Sequence, residues 1–163
     1  MTVRSALQIR PARDPHDYEV ARALFLEYAQ QLNIDLCFQG FNDELARLPE
    51  MYGPPIGRLL LASAGAGHDP FGCVGVRALA ADPLTCEMKR LYVRTDGRGL
   101  GTGRALATAS LAAARDLGYA RIVLDTLESM NAARALYADL GFREAKPYYA
   151  NPNVGVTYLE LAL

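Results

Sequence analysis

No CxxC pair, no Lys/Arg-rich tract and no run of about 18 apolar residues occurs in the 163 residues of this chain, and each absence removes a class of function. Three cysteines, Cys37, Cys73 and Cys86, are an odd number without zinc-ligand spacing, which fits neither a disulfide framework nor a metal site. They read as reduced, with at least two packed in the interior. The two histidines, His16 and His68, stand apart from every motif described below, so no metal is expected. A net charge of −1 and a pI near 6.1 give no general attraction to nucleic acid. The segment Met1 to Arg10 alternates polar and apolar residues and lacks an apolar signal region, so the expectation is a cytoplasmic protein with no membrane partner.

What is present is a regular succession of elements with no internal repeat, low-complexity tract or linker, as expected of one domain over residues 1–163. Leu7 to Arg10 reads as a short strand. Asp14 and Pro15 then take the N-cap and first helical positions of a helix whose Val20, Leu24, Tyr28 and Leu32 recur at helical spacing. Asn33 to Phe41 breaks that period. Asn42 to Leu48 suggests a second short helix, ended by Pro49 and the cluster Gly53, Pro54, Pro55, Gly57. Strands are expected at Leu59 to Ala62, Cys73 to Leu79 and Cys86 to Val93, the first two joined by a turn containing Gly65, Gly67, Asp69 and Pro70.

A helix with Leu106, Ala109, Ala113 and Leu117 on one face should stop at Gly118. Ile122 to Asp125 is a buried strand. Ser129 is placed to cap a further helix bearing Ala132, Leu136 and Leu140, with Gly141 at its end and Phe142 covering it. Val154 to Leu161 is the last strand. The order predicts a mixed α/β domain in which crossovers lay helices on both faces of a sheet.

The most informative segment is Arg98-Gly99-Leu100-Gly101-Thr102-Gly103-Arg104, between a strand and a helix. Glycines let a ligand approach the backbone, successive N–H groups converge, and the positive end of the helix favours a pyrophosphate there. Arg98 and Arg104 add charge-assisted bonds. The same composition also suits a plain strand-to-helix turn. No GxxxxGK[ST] is present, and a dinucleotide fold would carry its glycine loop in the first strand-to-helix turn.

These residues resemble the [QR]-x-x-G-x-[GA] signature of the GNAT superfamily of N-acetyltransferases through Arg98, Gly101 and Gly103. The run Cys86 to Val93 is similar to that family's fourth strand. Ala133, Leu136, Tyr137, Gly141 and Phe142 are similar to its later N-x-x-A-x-x-L-Y-x-x-x-G-F pattern, although the leading Asn falls on Met130 and Asn131 stands one place later. The resemblance covers about Leu84 to Glu144. It implies a GNAT-type mixed sheet of about six or seven strands flanked by helices, and an acetyl-CoA co-substrate in a cleft where the fourth and fifth strands splay. Leu91, Tyr92 and Val93 would lie along the pantetheine arm, and Arg98, Gly99, Leu100, Gly101, Thr102, Gly103 and Arg104 would hold the pyrophosphate, with Asn131 a further cofactor contact.

The implied reaction is direct transfer of acetyl to a primary amine in a ternary complex. It needs an oxyanion donor, a base and an acid. The main-chain N–H of Leu91 or Val93 matches the donor, Glu87 the base, and Tyr137 the acid for the departing thiolate. Tyr137 and Glu87 also suit a core tyrosine and a solvated strand glutamate.

For the acceptor, a small molecule or peptide, the resemblance points to Asp35, Phe38 and Phe41 on one side and Tyr148, Tyr149 and Asn151 on the other. The acids Asp35 and Glu87 lean toward a cationic amine or the N-terminus of a peptide. Two other readings stand beside this one: a module that holds acyl-CoA as a sensor without turnover, and a nucleotide-binding regulator. The final strand is expected either to pair across a homodimer or to close its own sheet.

Overall fold

The computed structural model describes residues 6–163. Seven strands form one mixed sheet in the order β1-β2-β3-β4-β5-β7-β6, from β1 (Gln8–Pro11), β2 (Arg58–Ser63), β3 (Gly72–Leu79), β4 (Asp82–Val93), β5 (Arg121–Leu127), β6 (Arg143–Glu144) and β7 (Val156–Ala162). Helices α1 (Pro15–Leu32), α2 (Phe41–Ala46) and α3 (Leu48–Tyr52) cover one face. Helices α4 (Thr102–Asp116) and α5 (Asn131–Asp139) cover the other. The period of two along a strand divides the core between them. Leu59 and Leu61 of β2 pack toward α1–α3, whereas Leu60 and Ala62 pack toward α4.

Local chemistry accounts for most boundaries. Asp14 caps α1 by accepting from Asp17 N at 2.9 Å, and Asn33 ends it at φ 51°. Two expectations change. Pro49 does not end a helix. It lies in the first turn of α3, where its missing N–H has no intrahelical partner to lose. Ser129 does not cap α5, whose N-cap is Met130 with no side-chain capping bond. The two-residue β6 is too short to announce itself by alternation. The last strand closes its own sheet, lying between β5 and β6.

The feature that shapes the site is a bulge in β4. Lys89 pairs with Gly75 and Tyr92 with Cys73, so two residues, Arg90 and Leu91, stand opposite the single residue Val74. Arg90 adopts φ 60°, a conformation that side chains other than glycine seldom take. The extra residue reverses the facing of everything after it. Met88 packs toward α4, but Tyr92, also even-numbered, packs toward α1–α3. On its other side β4 pairs in parallel with β5 only from Thr85 to Glu87. Beyond that point the two strands separate.

A buried ion pair holds the bulge. Glu44, fully buried on α2, accepts from Arg90 Nη2 at 2.7 Å and Nε at 3.0 Å, and from the Tyr52 hydroxyl at 2.9 Å. The Arg90 guanidinium also sits against the rings of Phe41 and Tyr28, at 5.1 and 5.9 Å. Tyr52 reaches Glu44 by lying across Gly75, where a Cβ would come within 2.4 Å of its ring.

Burial pushes the Glu44 carboxyl up, but the hydrogen bonds and charge of Arg90, with Arg77 and Lys89 beyond, outweigh it and hold the group below its ordinary value of 4.5. A depressed folded value means that the stabilisation is present above about pH 4.5 and is lost as the pH falls through the folded value. Glu44→Ala, which leaves Arg90 buried without its partner, is expected to cost about 3–5 kcal/mol in urea unfolding at pH 7. Gly75→Ala should cost about 1–3 kcal/mol through overpacking against Tyr52. Loss of stability by neither variant would show that the bulge does not depend on this contact.

Candidate functional site

Where β4 and β5 part, three hollows that share lining residues follow one another along the sheet. The first, of about 350 Å³, is lined by Leu91, Val93, Arg98, Gly103, Met130 and Leu136 among others. The second lies in the gap itself, between Lys89 to Leu91 and Leu124 to Leu127, with Tyr137 and Asn151 in its wall. It shares Leu91 and Met130 with the first. The third, of about 260 Å³, is lined by Gln39, Arg77, Glu87, Lys89, Tyr148 and Tyr149, and shares Gln39 and Lys89 with the second.

The rim of the first hollow is the glycine-rich loop. Gly99 and Gly101 have φ of 73° and 76°, values their missing Cβ permits. None of the six consecutive N–H groups from Gly99 to Arg104 donates to an acceptor among the described residues, and intrahelical bonding resumes with Ala105 N to Gly101 O at 2.9 Å. Six unpartnered donors at the start of a 15-residue helix form a cradle of the size and polarity of a pyrophosphate. Thr102 contributes its main chain only, because its buried hydroxyl donates to Gly97 O at 2.8 Å. Arg98 bridges Val93 O and Gln31 Oε1, both at 2.9 Å, and Arg104 pairs with Asp139 at 2.8 Å.

Along the gap, Arg90 and Leu91 have no register partner on either neighbouring strand. The Tyr92 ring turns away to the α1–α3 core, where its hydroxyl meets Glu27 and Gln31 at 3.2 Å. Tyr137 is buried, its ring edge-on to Phe142 at 5.6 Å, and its hydroxyl has no hydrogen-bond partner among the described residues. Burial pushes its phenol well above the ordinary value, which keeps it protonated. Asn131 is exposed and lines none of the three hollows. Met130 lines two, so the position that faces the cleft is the one where the family pattern has its Asn.

The third hollow has a polar floor built by strand parity. Arg77 on β3 stands directly opposite Glu87 on β4, and Lys89 and Asp125 continue the same face on β4 and β5. Glu87 is 3% exposed and accepts from Arg77 Nε at 2.9 Å through Oε1 and from the Tyr148 hydroxyl through Oε2. Lys89, 4% exposed, lies 3.7 Å from Glu87 and 3.8 Å from Asp125 and donates to Gln39 Oε1 at 3.2 Å. Burial pushes its ammonium down, against the pull of both carboxylates. Asp125 accepts from the Tyr149 hydroxyl and from Asn151 Nδ2 at 3.0 Å.

Of the residues singled out for the acceptor, Tyr148 and Tyr149 line the third hollow and Asn151 the second. Asp35 and Phe41 are not brought there. Asp35 is exposed and accepts from Cys37 N at 2.8 Å, and Phe41 is buried beneath α2 against Arg90. The side chain of Phe38 lies outside the described residues. Sequence reasoning passed over Arg77, Lys89, Asp125 and Gln39. A signal existed for Lys89, since Glu87 and Lys89 alternate with the apolar Cys86 and Met88. The others meet only through the sheet.

No helix among the described residues is long and apolar enough to cross a membrane, and no three potential metal ligands cluster among them. The sequence profile described as "Acetyltransferase (GNAT) family" matches residues 23–142. The chain is 40% identical to an uncharacterized N-acetyltransferase of Schizosaccharomyces pombe over 98% of its own length and 96% of that protein. It is 30% identical to an uncharacterized N-acetyltransferase of Dictyostelium discoideum over 87% of this chain and 93% of the other. The fold matches a crystal structure of an acetyltransferase from Streptococcus agalactiae with a TM-score of 0.75, at 21% identity, covering 96% and 98% of the two chains. With its split sheet, its open amide cradle and these relatives, the chain belongs to the GNAT family of acetyltransferases.

Proposed function

We propose that this protein uses acetyl-CoA to acetylate a primary amine by direct attack within a ternary complex. The observation that carries the reading is the run of unpartnered N–H groups from Gly99 to Arg104 at one end of a gap whose other end opens on a separate polar pocket. Acetyl-CoA supplies the activated acetyl thioester. The cradle residues and Arg98 would hold its pyrophosphate. Leu91, free of strand pairing, would offer its main chain along the gap.

In the transfer, the acceptor nitrogen bonds to the acetyl carbon as the carbon–sulfur bond breaks. The Tyr137 hydroxyl, unpartnered and held protonated, donates its proton to the departing sulfur. Glu87 serves as base through Tyr148, which donates to it: the amine proton passes to the Tyr148 oxygen as the Tyr148 proton passes to Glu87. This relay suits a carboxylate whose two oxygens are already engaged and which therefore has no open edge toward the acceptor.

Release of CoA from acetyl-CoA across amino acids, polyamines, aminoglycosides and short peptides tests the reading. Tyr137→Phe is expected to lower kcat by about 10²–10⁴-fold with little change in the KM for acetyl-CoA. Because burial raises the phenol, the wild-type rate should show no loss of this acid below about pH 10, the ordinary phenol value. Glu87→Gln and Tyr148→Phe should each lower kcat, and the double variant should lower it little further, since both break one relay. Additive losses would contradict the relay. Tight acetyl-CoA binding with no CoA release for any amine would favour a sensor.

A further inference from the structure

The third hollow narrows the acceptor class, an inference that rests on the acetyltransferase reading. Its carboxylates are already satisfied. Glu87 spends one oxygen on Arg77 and the other on Tyr148, and Asp125 is taken by Tyr149 and Asn151 with Lys89 nearby. An acceptor rich in positive charge would meet no open acid there and would face two cations.

Arg77 is in the opposite condition. It is 18% exposed, and only its Nε is hydrogen bonded. Nη1 lies 3.8 Å from Glu44 Oε1, beyond hydrogen-bond length, and neither Nη1 nor Nη2 has a hydrogen-bond partner among the described residues. A guanidinium is charged at any working pH, and its terminal N–H groups form a fork matched to a planar carboxylate. The supporting side chains hold it in place: the Nε bond to Glu87 fixes its plane, and Leu79 of the same strand flanks it in the pocket wall.

We propose that the acceptor is a small amine that also carries a carboxylate, an amino-acid-like molecule whose carboxylate is bound by the free Nη groups of Arg77. Arg77 and Tyr148 hold the two oxygens of a single carboxylate, so their open sides are neighbours across Glu87. A carboxylate on Arg77 therefore leaves an amino group one or two carbons away beside the Tyr148 oxygen, at the head of the proposed relay. The hollow, at about 260 Å³, falls just below the range of about 300–1,000 Å³ usual for ligand sites, which suits one small acceptor. The charge logic thus reverses the expectation of a cationic amine that Asp35 and Glu87 suggested from the sequence.

The test uses matched acceptors: amino acids, their carboxamides and the corresponding decarboxylated amines, assayed by CoA release at saturating acetyl-CoA. Binding of the same compounds to the protein loaded with free CoA is measured in parallel by calorimetry, a readout that stands even if none turns over. The wild type should favour the best carboxylate over its carboxamide by about 10- to 100-fold, the scale of a charge-assisted hydrogen bond. Arg77→Gln should collapse that ratio to within about threefold, mainly through the KM of the carboxylate acceptor, and Arg77→Lys should restore part of it. Equal or better use of the carboxamide or decarboxylated amine by the wild type would overturn the proposal while leaving acetyl transfer intact. An equal fall for all acceptors in Arg77→Gln would overturn it too, by assigning Arg77 to the support of Glu87. Absence of CoA release for every amine counts against acetyl transfer itself, and the calorimetric preference then decides the carboxylate claim alone.

Discussion

The bidentate pair between Glu44 and Arg90 is the contact on which the site depends. A strand in a parallel pairing normally continues until its partner ends, and β4 and β5 both run several residues past the point where they part. What separates them is one extra residue in β4, carried in a backbone conformation that an arginine would not adopt unaided. The cost is offset by placing the Arg90 guanidinium between two aromatic rings and against a carboxylate with no exposure to water. Tyr52 and Gly75 complete the support, one by donating to Glu44 and the other by having no side chain where the Tyr52 ring must lie.

From this bulge the functional geometry follows. Leu91 is released from pairing and faces the gap, Tyr137 enters the same gap from α5 with its hydroxyl unoccupied, and the helix beginning after Gly101 presents its first N–H groups at the rim. On the other rim, parity along four adjacent strands gathers Arg77, Glu87, Lys89, Asp125 and Tyr158 on one face, where Tyr148 and Tyr149 close over them. Buried ionisable groups in that number are costly unless each is paired. Here nearly every oxygen has a donor, and the unmet capacity among the described residues lies on donors: the terminal nitrogens of Arg77 and the Lys89 ammonium, whose one hydrogen bond goes to Gln39.

Much of this was legible in the sequence because it is written locally. The Asp14-Pro15 start of α1, the apolar run of β2, the helical stripe after Gly103 and the loop from Arg98 to Arg104 each rest on neighbours a few residues apart, and the ordered motifs carried the fold. The bulge was not legible, because a positive φ at arginine has no composition signal. The third hollow was only half legible. Tyr148 and Tyr149 sit in a visibly aromatic loop, but Arg77, Lys89 and Asp125 meet through strand register, with Gln39 brought over them from the loop before α2. Asp35 and Phe41 looked equally suitable by type, yet one folds back on its own turn and the other is spent stacking on Arg90. Pro49 misled for a similar reason: the same residue that stops a helix from within is tolerated in its first turn.

A crystal structure of the protein with CoA bound would test directly whether the gap opened by the bulge is the cofactor's seat. The expected complex has the pyrophosphate on the main-chain N–H groups of Gly99 to Arg104, the pantetheine arm in the gap between β4 and β5 beside Leu91, and the thiol within hydrogen-bonding reach of the Tyr137 hydroxyl. A β4 that pairs with β5 through the bulge, or CoA seated away from the gap with its thiol remote from Tyr137, would contradict it.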